Sequence, residues 1–125
     1  MIDITGTWLG TYWQAGDPTR FEVAFVQGGA NITGRILDDG QLGEAQVSGE
    51  ISGRSIRFLK QYLTGARHAV TYTGTLSEDG NSMQGKWSLD RRHSGSWEAH
   101  RSTDDLMAAL NNRLAQQVPV LGGKR

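Results

Sequence analysis

Repeatedly along this chain a glycine stands two positions before a large apolar residue, as in Gly6-Thr7-Trp8, Gly34-Arg35-Ile36, Gly49-Glu50-Ile51, Gly74-Thr75-Leu76, Gly85-Lys86-Trp87 and Gly95-Ser96-Trp97. Most of these triplets lie in segments that otherwise alternate apolar and polar residues, the pattern of half-buried strands. Glycine weakens a strand interior, so its recurrence there implies strands that bend sharply or that carry another side chain across them. A small closed β-barrel demands both. By parity the glycines share a face with the rings that follow them. They are expected to make room for indoles from neighbouring strands.

The alternation runs from Ile4 to Arg101 in strands of about 8–12-residue spacing. The expected strands are 4–14, 20–27, 31–37, 42–51, 55–63, 68–77, 82–89 and 94–101. Turn chemistry separates them at Ala15-Gly16-Asp17-Pro18, Gly28-Gly29, Asp38-Asp39-Gly40, Ser52-Gly53-Arg54, Thr64-Gly65-Ala66 and Glu78-Asp79-Gly80-Asn81. Short connections imply antiparallel neighbours. The reading is an all-β, eight-stranded antiparallel up-and-down barrel, with a two-sheet sandwich as the competing arrangement of the same pattern. After Arg101 the period changes. Thr103-Asp104-Asp105 offers a cap, and Leu106, Leu110, Leu114 and Val118 follow at four-residue spacing. The chain therefore divides into a barrel over 1–102, an amphipathic helix over 103–118 on the barrel or at a subunit interface, and a tail over 119–125.

Composition narrows the function classes. With 125 residues, 17 glycines, 2 prolines and no cysteine, the chain makes one domain without disulfides or thiolate chemistry. Thirteen basic and thirteen acidic side chains balance to a formal net charge of +0, so no overall field draws nucleic acid or anionic lipid. No long apolar run spans a membrane as a helix, and the first residues lack a signal-peptide pattern. The expected location is cytoplasmic.

Parity places Trp8, Tyr12, Phe21, Val23, Phe25, Ile36, Ile51, Ile56, Phe58, Tyr62, Val70, Tyr72, Leu76, Met83, Trp87, Leu89 and Trp97 inside. Lys60 falls on the same face. It must reach solvent at the barrel mouth or pair with an acid such as Glu44 or Asp90. Outside, Leu9, Trp13, Ala24 and Val26, with Leu59 and Leu63, form apolar surface that the helix or a second subunit would cover. A homo-oligomer through Leu9, Trp13, Leu59, Leu63 or the helix is the corresponding expectation.

Motifs for chemistry are sparse. His68, His93 and His100 have no chelate spacing, and the acidic pairs sit where turns and caps explain them. Residues 80–86 imitate a phosphate loop, but Trp87 stands where Ser or Thr is required. No metal, cofactor or catalytic residue is assigned; Lys60 and His68 are the only candidates for acid–base chemistry.

Gly6-Thr7-Trp8 on the first strand, a basic Arg101 late in the last strand and a helical segment from Thr103 resemble the calycin superfamily, which contains lipocalins and avidins. Ile4-Thr5-Gly6-Thr7-Trp8 and Met83-Gln84-Gly85-Lys86-Trp87-Ser88-Leu89 are similar to strands of bacterial avidin-like proteins. The resemblance implies a barrel with Arg101 packed across Trp8 and a ligand at the open end. The stretch Leu9-Gly10-Thr11-Tyr12-Trp13 lacks the small polar groups that hold biotin in avidins, so biotin is not implied. The resulting expectation is a binding module whose mouth offers Tyr12, Lys60, Tyr62, Tyr72, Trp87 and Trp97 to an apolar or aromatic molecule with an acidic group. The alternative is a side-chain-filled structural or protein-interaction barrel acting through its outer surface and helix.

Overall fold

A computed structural model describes residues 2–39, 43–63 and 69–102. Eight strands close into a barrel in sequence order: β1 Gly6–Gln14, β2 Asp17–Gly28, β3 Asn31–Asp38, β4 Glu44–Ser52, β5 Ser55–Tyr62, β6 Ala69–Leu76, β7 Ser82–Ser88 and β8 Ser94–Arg101. All neighbours are antiparallel, and β1 pairs with both β2 and β8. The barrel, not the sandwich, is the arrangement that the alternation adopts. The expected helix over 103–118, the tail, the turn Thr64-Gly65-Ala66 and His68 lie outside the described residues.

Strand limits follow local chemistry. The first hairpin turns on two residues, Ala15 and Gly16, both with positive φ (49° and 86°), the twist that matches right-handed strands. β2 therefore starts at Asp17, earlier than turn chemistry suggests, and Pro18 lies within it opposite Trp13. β3 pairs with β2 only from Phe21 onward, so the proline faces no second ladder and costs no hydrogen bond.

The interior is one apolar cluster from Ile4 to Ala99. Every residue assigned inside by parity is buried except Leu89, which is partly buried against that cluster beyond the end of β7. Ile4, Ile32, Ala45, Val47 and Ala99 complete it. Its centre is aromatic: Phe58 stacks on Tyr72 at 4.9 Å, while Phe25 and Trp97 meet Phe58 edge-on at 5.5 and 5.8 Å. Such offset and edge contacts add to the area that each ring buries.

The glycines act in two ways. A Cβ on Gly74 would come within 2.8 Å of the Trp97 ring, and one on Gly95 within 2.6 Å of Trp87 Nε1, so these two clear space for indoles. At all five of Gly34, Gly49, Gly74, Gly85 and Gly95 the first obstacle is a carbonyl of the adjacent strand. There glycine permits backbone coiling, a role that the triplet pattern does not separate from the first. The indoles repair what the coiling disturbs: Trp97 Nε1 donates to the carbonyls of Thr73 and Lys86, and Trp87 Nε1 to that of Trp13.

At the end bearing the N-terminus, Arg101 lies 4.8 Å over the Trp8 ring and donates to the carbonyls of Asp3, Thr5 and Gly80. Trp8 Nε1 donates to the Ile4 carbonyl. Ile4 and Trp8 are fully buried, so this end is sealed.

Candidate functional site

The opposite end holds a polar cluster in an otherwise apolar interior. Lys60 projects inward from β5 and has no exposed surface. Its ammonium donates to both carboxylate oxygens of Asp38, at 2.7 and 2.8 Å. Tyr62 Oη donates to Asp38 Oδ2 at 2.7 Å and Tyr12 Oη at 3.1 Å. The ammonium also lies over three rings: Tyr12 and Tyr62 at 4.8 Å and Tyr72 at 5.7 Å. These are the three tyrosines of the chain.

Alternation positions every member. Lys60 and Tyr62 are two apart on β5, and Tyr12 and Tyr72 face inward from β1 and β6. Asp38 is the last residue of β3, on the inward parity of Ile32, Gly34 and Ile36. Its backbone N–H donates to the Gly43 carbonyl, which fixes the strand end.

Sequence reasoning misses Asp38 as the partner of Lys60. The run Asp38-Asp39-Gly40 reads as a turn, yet extending the β3 alternation by one step puts Asp38 inside. Neither acid expected from the sequence fills that role. Glu44 pairs with Arg35 on the outer wall at 2.7 Å, and Asp90 holds the backbone N–H groups of Arg92 and His93 in a turn. Five of the six mouth residues read from the sequence converge. Tyr12, Lys60, Tyr62 and Tyr72 surround the ion pair, and Trp87 meets Tyr12 edge-on at 6.2 Å. Trp97 touches the group through Tyr72, and its N–H is already taken by two carbonyls.

Electrostatics follow from burial. Desolvation pushes the Lys60 pKa down, and the Asp38 carboxylate opposes that shift. Desolvation, with Asp38 nearby, pushes all three tyrosines up, so they remain neutral donors. The pair is thus neutral overall and fully hydrogen-bonded, with no unsatisfied buried side-chain atom among the described residues.

Around the cluster Tyr12 and Val70 keep 7% exposure and Tyr62 and Trp87 5%, while Lys60 and Ala45 keep none. A depression of about 280 Å³ on the wall between the ends of β2 and β3 includes Asp38 and Phe21 in its lining. Among the described residues no group of His, Cys, Asp or Glu could hold a metal ion, and no helix is long and apolar enough to cross a membrane.

No protein family and no curated protein matches this sequence. Solved structures do. A designed protein described as a fluorescence-activating β-barrel superposes with a TM-score of 0.61 at 22% identity, covering 82% of this chain and all of its own. A redesigned β-barrel superposes at 0.67 with 11% identity, covering 79% of this chain and 91% of its own. At these identities the likeness is one of fold: the chain is an eight-stranded antiparallel barrel of the kind that those designs adopt.

Proposed function

We propose that this protein is a calycin-like small-molecule binding module whose ligand engages the end of the barrel around Lys60 and Asp38. The observation that carries the reading is the buried, tyrosine-lined ion pair at the end opposite Trp8 and Arg101. An ion pair buried in an apolar core is seldom the most stable choice, since a packed hydrophobic pair of similar volume often does as well or better. The cluster also combines what small-molecule sites use, namely aromatic walls and a few convergent polar groups. The similar designed barrel is described as fluorescence-activating, which loosely fits a binding module on this fold.

The ligand is an apolar or aromatic molecule with one acidic group. Asp38 already neutralises Lys60, so that group enters by taking the place of the Asp38 carboxylate, which sits at a strand end. The test is an NMR fragment screen following the ring signals of Tyr12, Tyr62 and Tyr72. Aromatic acids should shift them more than matched neutral fragments do. A screen in which no fragment moves these rings refutes the proposal.

A second reading is carried by the outer wall. Val26, Leu37 and Leu59 are 61%, 58% and 42% exposed, apolar surface that an interaction domain would cover. Light scattering across a concentration series tests it, and a strict monomer at all concentrations counts against self-association.

A further inference from the structure

The same end of the barrel has a second feature, on its outer wall. The β1–β8 ladder runs from Trp8↔Arg101 to Tyr12↔Trp97 and stops there, although β1 continues to Gln14 and β8 begins at Ser94. Beyond Tyr12 the two strands part. The Trp87 indole fills the gap from inside and donates to the Trp13 carbonyl at 3.0 Å. Gly95 keeps the gap open, because a Cβ there would strike both that carbonyl and the Trp87 ring. Outside the seam lies a depression of about 540 Å³ lined by Trp13, Trp87, Lys86, Ser88, Ser94 and Ser96. Ala15, the only described non-glycine residue with positive φ, stands on its edge.

The chemistry of this lining is specific. Trp13 is half-buried on the outer wall and offers an indole. Lys86 is exposed, faces Thr73 and Ser96 across its two ladders, and forms no ion pair among the described residues. It contrasts with Lys60, whose charge Asp38 cancels. The three serines add hydroxyls that donate or accept. The volume falls within the range of small-molecule sites.

We infer that the seam between β1 and β8 is a binding site for a flat aromatic carboxylate. The aromatic body lies against Trp13 and the edge of Trp87, the carboxylate meets Lys86, and the serine hydroxyls complete its hydrogen bonds. The site shares only Trp87 with the tyrosine cluster, lies on the outer wall and does not require the barrel interior to admit a ligand.

The experiment uses 2-naphthoate and neutral 2-naphthalenemethanol, with binding followed by the indole N–H signals of all four tryptophans and by the tyrosine ring signals. Naphthoate should move the Trp13 and Trp87 signals and leave Trp8 in place. Lys86→Gln, an exposed substitution that leaves the core intact, should weaken naphthoate about two- to fivefold, the range of an exposed ion pair, without changing the alcohol. Trp13→Ala should weaken both. The inference is overturned if naphthoate moves the tyrosine signals alone, which would leave the interior reading standing. It is equally overturned if Lys86→Gln binds naphthoate as the parent does, or if no tryptophan signal responds at any concentration.

Discussion

Removing Asp38 alone should cost far more than removing both members of the buried ion pair. The Lys60 and Asp38 side chains are 0% and 1% exposed, so solvent cannot take over for a missing partner. Asp38→Asn keeps the volume but strips the ammonium of its counter-ion, and breaking a buried pair this way costs about 3–5 kcal/mol. Lys60→Met leaves the Asp38 carboxylate with two hydroxyl donors, from Tyr12 and Tyr62. Hydrogen bonds to a charged group contribute about 1.5–3 kcal/mol each, so this variant should lose less, about 1–3 kcal/mol. In the double variant no charge remains, and the amide oxygen introduced by Asp38→Asn would still accept from the tyrosines. The double variant should therefore recover at least about 2 kcal/mol relative to Asp38→Asn alone. Urea unfolding followed by tryptophan fluorescence at pH 7 measures all four proteins, provided the m-value is unchanged. In thermal scans Asp38→Asn should melt more than ~12 °C below the parent, at about 4–8 °C per kcal/mol for a domain of this size. A double variant whose loss equals the sum of the single losses would refute the reasoning, because it would mean that the two charges do not interact.

The tyrosines report on the same cluster spectroscopically. Burial raises all three pKa values above their ordinary 10.0. The resulting stabilisation is complete below about pH 10 and is lost as pH rises beyond it. Tyrosinate absorbance at 295 nm should therefore appear only together with unfolding; a smooth titration near pH 10 in a folded protein would contradict the burial. Gly85→Val should cost about 3 kcal/mol or more, or prevent folding, since its Cβ would collide with the Thr73 carbonyl, while exposed Thr75→Val should stay within about 0.5 kcal/mol. Chemical denaturation of the pair checks the difference. Arg101→Lys should lower stability by about 1–2 kcal/mol despite keeping the charge, because an ammonium cannot stack on Trp8 and serve the Asp3, Thr5 and Gly80 carbonyls together. The same denaturation assay reads this loss.

Much of the barrel is legible in the sequence because alternation is a local signal. Phe21, Val23 and Phe25 declare the inward face of β2 without reference to any other strand, and Lys60 declares its own burial in the same way. Asp38 is harder to read. An Asp-Asp-Gly run carries a strong turn signal, and only the length of β3 decides that its first acid belongs to the strand. The identity of its partner depends on which strand ends meet around the barrel, which no single segment encodes. The seam beside Trp13 is hidden for a related reason. Trp13 reads as an outward apolar residue, but the parting of β1 from β8 arises from Gly95 and the ring of Trp87, a residue 74 positions away from Trp13. The uniform look of the glycine triplets also conceals two jobs: five of them spare a neighbouring carbonyl, and only the fold shows that Gly74 and Gly95 clear an indole as well.

The seam has a further consequence for how the chain reaches this fold. Each of the other ladders joins strands consecutive in sequence, so hairpins can form and extend one after another. β1 and β8 alone must find each other across nearly the whole domain, and the entropy of closing that long loop is lost before their contacts offset it. Barrel closure is thus expected to be the slow event in folding. It also brings the two ends of the domain side by side, with Ser102 N–H donating to the Thr7 carbonyl. A circular permutant that links these ends and opens the Gly29–Ala30 turn would make the β1–β8 contact local and leave β2 and β3 as the distant pair. Its β1–β8 pairing should form early, and the slow closing step should move to the β2–β3 ladder.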